Sequence, residues 1–387
     1  YLYGWLTGFL IGYFYSKKLI RDAEKHSTTI VEIEPEKRVN LIQPGAGEKA
    51  YTIVILANPA IYLHADAKAI ADPIIDDKAL FYKVVLRCLR SFAKNELLSI
   101  PEIKNRLRII TIFEDKPERI DPENPDNVLC EDLEGPPGNL VKVIAPRYID
   151  GQPGLIQDYV RNTEIDNNAV KSLEHVDVVF MVSASDDLTR SAARFTTDDN
   201  SRPDATGKTG ATFTFDFQNP DTLEVTSETR QHAFFAKYPG TVALSAWDDR
   251  LKVPVHEFAH AMSSHNNGII YDEYVDKYHD NTIDADNAPG LQRVINRKHR
   301  QTPADPIPDV FCTYEFDGEE GVYPSEEVKY PSDRHRNDKP PNWTSYAPGK
   351  EDIHTSCIMD FTYHEYLFDK LVFYFMYDRL MTKMKRR

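Results

Sequence analysis

Two histidines and one glutamate have the types and the spacing in this chain that could do chemistry. His256, Glu257 and His260 form a His-Glu-x-x-His motif. Residues four apart share one face of a helix, so both imidazoles can reach the same metal ion. Glu257 then lies beside the water that such an ion holds, where hydrolysis needs a general base. The spacing predicts a hydrolytic zinc site; the alternative is two surface histidines on an ordinary helix.

The neighbours of the motif predict a buried helix. Pro254 suits a first helical turn. The other faces of the helix are apolar, with Phe258, Ala259, Ala261 and Met262. A buried helix does not carry two imidazoles and a carboxylate without partners, because unpaired polar groups are costly to bury. One metal ion satisfies all three side chains, so the neighbours favour the metal site.

A catalytic zinc ion takes three protein ligands and keeps one open position, so a third ligand is needed. Gly268 predicts the end of the helix, and a chain that turns there can bring Asp272 or Glu273 back to the metal. His265 shares nearly the same face as the pair if the helix continues. We expect Asp272 first, then Glu273, then His265. The alternative for the acidic pair is a turn in solvent.

The composition limits the class of protein. The 387 residues suffice for one large domain or two medium ones, and 41% hydrophobic with 28% charged residues is typical of a globular chain. The net charge of −15, without a long basic run, argues against a nucleic-acid partner. Four cysteines with no Cys-x-x-Cys pair argue against a disulfide scaffold and a cysteine zinc site.

Apolar runs predict the elements that position the motif. Strands are expected at residues 51–56, 107–113, 176–182 and 241–246, and a helix at residues 79–98. The last strand comes just before the motif helix, and it is expected to align an extended substrate by β-addition. This order predicts an α/β (α+β) fold with the motif helix under the sheet.

Polar stretches separate these elements. Residues 17–50 are expected to form a linker, and residues 114–170 and 198–210 are expected to form loops. Gly207-Lys208-Thr209 is similar to the end of a phosphate-binding loop. However, Arg202 stands where that pattern needs a glycine, and no strand precedes it. A surface turn is therefore predicted.

Residues 1–16 predict a transmembrane or anchor helix. The first 15 residues carry no charge, and Gly4, Gly8 and Gly12 have the spacing by which membrane helices pack into oligomers. Fifteen helical residues span ~22 Å, short of the ~30 Å hydrocarbon core, so a signal-peptide remnant and a helix buried against protein stay open. The flank Lys17-Lys18 favours a cytoplasmic side for the residues after it.

Three further stretches carry a resemblance to a known family. Asp272-Glu273-Tyr274 follows the motif, a Tyr-Pro element lies in residues 321–324, and Met359 stands in a Cys-x-Met element that begins at Cys357. In this order the chain resembles the metzincins, zinc peptidases with a methionine turn beneath the metal. It resembles more closely their IgA-peptidase-like branch, which reads His-Glu-Phe-Gly-His and then Asp-Glu-Tyr. The resemblance covers roughly residues 50–380.

The chain departs from the family pattern at several positions. Ala259 replaces the usual glycine, and the loop between His260 and Asp272 is longer than in the branch. The commoner metzincins have a glycine where Ser263 stands here. Many also carry a tyrosine two residues after the turn methionine, where this chain has Phe361. The nearby Tyr363 is the candidate to take that catalytic role.

The resemblance implies a fold, a reaction and a location. It implies a mixed twisted sheet with a backing helix and the active-site helix, in an N-terminal peptidase subdomain at residues 51–265. It also implies a smaller C-terminal subdomain at residues 266–387 that contains the methionine turn. The apolar face of residues 363–384 predicts a long helix there. The resemblance implies a zinc peptidase that cleaves a protein or peptide substrate, and the predicted anchor at residues 1–16 would tether this enzyme to a membrane. The family suggests an extracytoplasmic site, whereas Lys17-Lys18 suggests the opposite side. An assembly or scaffold subunit that retains the fold is the alternative, but the intact motif counts against lost catalysis.

Overall fold

The computed structural model describes most of the chain around the motif. The described residues are 38–45, 50–114, 128–133, 142–147, 156, 159–160, 176–218, 225–268, 270, 313–316, 319–320, 358–359, 368 and 370–385. The predicted anchor at residues 1–16, with Gly4, Gly8 and Gly12, lies outside them.

Strands are the commonest elements in the described part. They are β1 (Val39–Pro44), β2 (Tyr51–Ala57), β3 (Ala60–Leu63), β4 (Lys68–Ala71), β5 (Leu107–Ile112), β6 (Cys130–Leu133), β7 (Val143–Pro146), β8 (Val178–Ser183), β9 (Ala192–Arg194), β10 (Thr197–Asp199), β11 (Gly210–Gln218), β12 (Val225–Ala233), β13 (Phe235–Tyr238), β14 (Gly240–Ser245), β15 (Thr313–Phe316) and β16 (Glu319–Glu320). The described helices are α1 (Lys78–Lys94), α2 (Pro101–Lys104), α3 (Val253–Met262) and α4 (Lys370–Lys385), with a 3-10 helix at Pro73–Asp76.

Six strands form the central sheet in the order β1-β5-β2-β8-β14-β9. The four central strands run parallel, and β1 and β9 are antiparallel at the two edges. Every residue of β2, β5, β8 and β14 is buried, as expected for parallel strands covered on both faces. Smaller sheets have the orders β10-β13, β12-β11-β15-β16 and β4-β3-β6-β7. The prediction of a mixed α/β fold is confirmed.

Four predictions for the segments around the sheet are wrong in part. The expected linker contains β1, which pairs with β5, and the expected loop at residues 114–170 contains β6 and β7. The expected loop at residues 198–210 begins inside β10. Strand β14, expected to align a substrate, already pairs with β8 and with β9. Long-range pairing formed β1, β6, β7 and β10 within stretches that are polar overall, and a local pattern does not reveal such pairing.

The motif helix α3 packs on the same face of the sheet as α1. The ring of Phe258 makes an edge contact with Tyr51 of β2 and a tilted contact with Phe92 of α1, at centroid distances of 6.0 and 5.8 Å. Asp77 caps α1 by accepting a hydrogen bond from the backbone N–H of Leu80 at 2.8 Å. The position of α3 is therefore fixed by aromatic packing against two neighbouring elements.

The described part of the expected C-terminal subdomain shares this core. Ile358, Met359, Phe368 and the described apolar side chains of α4 are buried in the same apolar cluster as residues of α1 and α3. The predicted helix at residues 363–384 corresponds to α4, which is described from Lys370 to Lys385. The C-terminal helix therefore packs directly against the half of the chain that carries the motif.

Candidate metal centre

Helix α3 carries the whole motif and is almost fully buried. Pro254 lies in its first turn, as the sequence predicts. Glu257 and His260 are 7% and 8% exposed, and His256 is half-buried. The prediction of a buried helix is confirmed, and the surface-histidine alternative does not fit this burial.

The two imidazoles meet at their Nε2 atoms. Nε2 of His256 and Nε2 of His260 are 3.3 Å apart, and the ring planes are inclined by 87°. Nδ1 of His256 is 2.9 Å from the carbonyl oxygen of Ile358, and Nδ1 of His260 is 2.6 Å from that of Ile270. A carbonyl oxygen can only accept, so each Nδ1 carries the proton that it donates. In the neutral rings, both Nε2 atoms therefore present lone pairs to each other.

Two facing lone pairs repel unless a proton or a metal ion lies between them. Two nitrogens bound tetrahedrally to zinc at about 2.0–2.1 Å are about 3.3–3.4 Å apart. The observed 3.3 Å agrees with that spacing. Metal-binding histidines also commonly donate their other ring N–H to a backbone carbonyl. The donor set therefore fits a zinc ion in both its spacing and its tautomers.

The carbonyl that orients His256 belongs to the predicted methionine turn. Ile358 and Met359 form a turn, and both are fully buried in the core beside α3. The hydrogen bond from Nδ1 of His256 joins residues 102 positions apart in the chain. This turn therefore holds one ring of the pair from outside the motif helix.

The carbonyl that orients His260 belongs to the chain just after α3. The hydroxyl of Ser263 donates to the carbonyl oxygen of His260 at 2.7 Å and accepts from the backbone N–H of Ile270 at 3.1 Å. The backbones of Ser264 and Gly268 bond to each other at 2.6 and 3.0 Å, which closes the turn. Ser263 therefore ties the C-terminal end of α3 to the carbonyl that aligns His260.

The last carbonyls of α3 find partners in other elements. Thr196 donates from its hydroxyl to Ala261 at 2.7 Å and from its backbone N–H to Ala261 and Ser263. Nε of Arg379, in α4, donates to the carbonyl oxygen of Met262. Helix ends leave such carbonyls unsatisfied unless something caps them. Sequence reasoning missed Thr196, Ser263 and Arg379, because their partners are backbone atoms that no residue pattern marks.

The candidates for a third ligand have different outcomes. Asp272, Glu273 and the proposed catalytic Tyr363 lie outside the described residues. His265 is described and is exposed in the turn after α3, with its backbone N–H bonded to Thr196. Within the ranges that the structure describes, no three His, Cys, Asp or Glu side chains gather to hold a metal. His265 therefore does not join the pair, and the third ligand stays a prediction.

Two other predictions concern the turn at Gly207 and a helix that crosses a membrane. Gly207 lies in an exposed turn, as predicted for Gly207-Lys208-Thr209. No helix among the described residues is long and apolar enough to cross a membrane.

Comparisons with protein-family models, with curated proteins and with solved structures find no match to this chain.

Proposed function

We propose that the chain is a zinc metallopeptidase with a metzincin-like fold, whose metal ligands include His256 and His260. The observation that carries the proposal is the approach of the two Nε2 atoms to 3.3 Å on a buried helix, with both Nδ1 atoms placed to donate to backbone carbonyls. Without a cation between them, this arrangement would cost free energy from the repulsion of the lone pairs. The carbonyl partners of both Nδ1 atoms support it, because they fix the tautomer that binds a metal.

The third ligand is proposed to be Asp272, with Glu273 as the alternative. The carbonyl of Ile270 touches the ring of His260, so the chain passes beside the pair two residues before Asp272. Two residues span at most about 7 Å, which keeps residue 272 within reach of the metal. A carboxylate with two imidazoles is a ligand set known from catalytic zinc sites, and it leaves one position open.

Glu257 is proposed as the general base. A zinc ion held by His256 and His260 would lower the pKa of its bound water to about 7 and would polarise the scissile carbonyl. Glu257 accepts the proton of the attacking water and returns it to the leaving amine nitrogen. Tyr363, four residues after Met359, is proposed to donate a hydrogen bond to the oxyanion.

The substrate is proposed to be an extended segment of a protein or peptide. Strand β9 is the edge of the central sheet next to the motif, and its side chains are half-buried. Phe195 directly follows β9, and its ring centroid is 6.5 Å from that of His260. A peptide added beside β9 would pass the two histidines. This replaces β14 as the proposed aligning strand.

Residues 1–16 are proposed to tether the enzyme to a membrane. The uncharged start and the spacing of Gly4, Gly8 and Gly12 support an anchor that also brings two copies of the chain together. The peptidase domain is proposed to lie on the extracytoplasmic side, on the family resemblance. Accessibility of an introduced surface cysteine to an impermeant thiol reagent in intact cells tests the side.

The proposal is tested by the Glu257→Gln variant of the full chain. We expect it to keep one zinc ion per chain and to lose peptide hydrolysis, measured on a quenched-fluorescent peptide library. Glu102→Gln, on the exposed surface of α2, is the matched control and should keep both. Hydrolysis by the Glu257→Gln variant at the wild-type rate would show that Glu257 is not the base. A zinc-loaded wild-type chain that cleaves no peptide would contradict the peptidase assignment.

A further inference from the structure

Asp198, at β10, is the centre of a buried ionic cluster that the motif does not include. Its carboxylate accepts two hydrogen bonds from the guanidinium of Arg379, at 2.7 and 2.9 Å, and one from Nζ of Lys383 at 2.8 Å. Both cations lie on α4, and all three side chains are almost fully inaccessible to solvent. The carboxylate therefore ties the C-terminal helix to the strand that follows β9.

The cluster is ionised in spite of its burial. Burial by itself raises the pKa of the Asp198 carboxyl, but the charges of Arg379 and Lys383 outweigh it and hold that pKa well below its usual range. A charged, bidentate carboxylate–guanidinium pair fixes direction as well as distance. The cluster is therefore suited to hold its neighbours in one geometry.

The turn after α3 is the neighbour that this cluster fixes. Asn267 donates to the Asp198 carboxylate at 2.9 Å and to the side chain of Asn200 at 2.7 Å. The backbone N–H and carbonyl of Asp198 both bond to the side-chain amide of Asn266, each at 3.1 Å. Two successive residues of the turn are thus bonded to Asp198: Asn267 bonds to its carboxylate, and Asn266 bonds to its backbone.

Helix α4 closes the turn from its other side. A Cβ at Gly268 would lie 2.9 Å from Cε2 of Phe375, so the backbone of the turn lies directly against that ring. The guanidinium of Arg379 also bonds to the carbonyl of Met262, at the last residue of α3. The turn is therefore held on one side by Asp198 and on the other by α4, and it leads directly to Ile270.

We propose that Asp198, acting through Asn267, is a positioning residue of the metal centre, because it fixes the turn whose Ile270 carbonyl aligns the ring of His260. The inference rests on the proposed function in so far as the aligned ring binds zinc. The hydrogen bonds of Asn266 and Asn267 to Asp198 hold the turn between α3 and Ile270 in one geometry. The segment that carries Asp272 and Glu273 then starts from a fixed place.

The test separates positioning from stability. Asn267→Ala removes the bond between the turn and the carboxylate and leaves the Asp198–Arg379 and Asp198–Lys383 ion pairs in place. Ile110→Ala is the matched control, because it opens a cavity in the apolar cluster on the opposite face of the sheet from α3. Asp198→Asn is a weaker choice, because it leaves the buried cations of Arg379 and Lys383 without the carboxylate that neutralises them and so threatens folding.

Three measurements on the full chain are compared between the two variants. In the Asn267→Ala variant we expect the zinc dissociation constant to rise about 10–100-fold, as is usual when the residues behind a metal ligand are lost. We expect the visible absorption bands of the cobalt-substituted protein to shift. In the metal-free protein, we expect amide hydrogen exchange of Ser264, Gly268 and Ile270 to become at least about tenfold faster. Ile110→Ala should change none of these by more than about threefold.

Two results would overturn the inference. One is an Asn267→Ala variant with unchanged exchange in the turn and an unchanged zinc dissociation constant. The other is an Ile110→Ala variant that changes the metal properties as much as Asn267→Ala does. If the wild-type chain binds no zinc, the proposed function fails, and the hydrogen exchange of the metal-free variants alone then decides whether Asp198 and Asn267 fix the turn.

Discussion

Gly240 is the point where a single added methyl group should displace the motif helix α3. It is the first residue of β14, and its Cα lies directly against the C-terminal end of α3. A Cβ built there would overlap the carbonyl oxygen of Ala261, and it would lie 2.5 Å from the carbonyl carbon of that residue and 2.9 Å from Oγ1 of Thr196. Carbon atoms in good contact are about 3.5–4.0 Å apart. The helix end would have to move by about 1 Å.

The surroundings leave the helix little freedom for such a shift. Phe258 fixes α3 against α1 and β2, and Thr196 and Arg379 bond to its last carbonyls. We expect Gly240→Ala to lower the free energy of unfolding by about 1–3 kcal/mol, as overpacking usually does. Metal-ligand distances tolerate about 0.2 Å, so the variant should also lose zinc affinity and about 100-fold in activity.

Chemical denaturation and a zinc titration against a competing chelator measure both effects. Gly207→Ala is the control, because nothing lies within 4 Å of a Cβ there and its φ of +85° costs only local strain. That variant should lose about 1 kcal/mol of stability and keep its zinc affinity. A Gly240→Ala variant with wild-type zinc affinity would refute the close contact between β14 and α3.

Two further predictions concern groups around the site. Ser263→Ala removes the hydroxyl between the His260 carbonyl and the Ile270 N–H, so zinc affinity should fall about 10–100-fold in a chelator competition; unchanged affinity would contradict its role. The depressed pKa of Asp198 gives stability that is present above the unfolded pKa of about 3.9 and is lost as the pH falls below it. Urea titrations between pH 5 and pH 3 should therefore show a steeper loss of unfolding free energy in the wild type than in the double variant Asp198→Asn/Lys383→Met. This variant lacks the carboxylate but keeps the net charge of the cluster. Equal slopes would contradict the stabilising role of the Asp198 carboxylate.

The parts of the fold that local pattern specifies were predictable from the sequence. The buried strands β2, β5, β8 and β14 are mostly apolar runs, and α3 combines an early proline with apolar faces. The shared face of His256 and His260 follows from helical geometry alone. These features depend on residues close together in the chain.

The parts that depend on distant partners were not predictable. Strand β1 reads as a polar linker, since only its pairing with β5 makes it a strand. Asp198 reads as a loop residue, because its cationic partner Arg379 lies 181 positions away. The orientation of His256 depends on a backbone carbonyl 102 positions away, and a carbonyl leaves no mark in the sequence. His265 was a reasonable third ligand only for a continuous helix, and α3 ends at Met262.

X-ray absorption at the zinc edge of the purified full chain shows whether His256 and His260 bind one metal ion. We expect one zinc ion per chain, with two imidazole nitrogens at about 2.0–2.1 Å and oxygen donors completing a four-coordinate shell. Replacement of His260 by phenylalanine should remove the metal. A chain that holds no stoichiometric metal, or a metal shell without two imidazoles, would contradict the assignment of the His256–His260 pair as a zinc site.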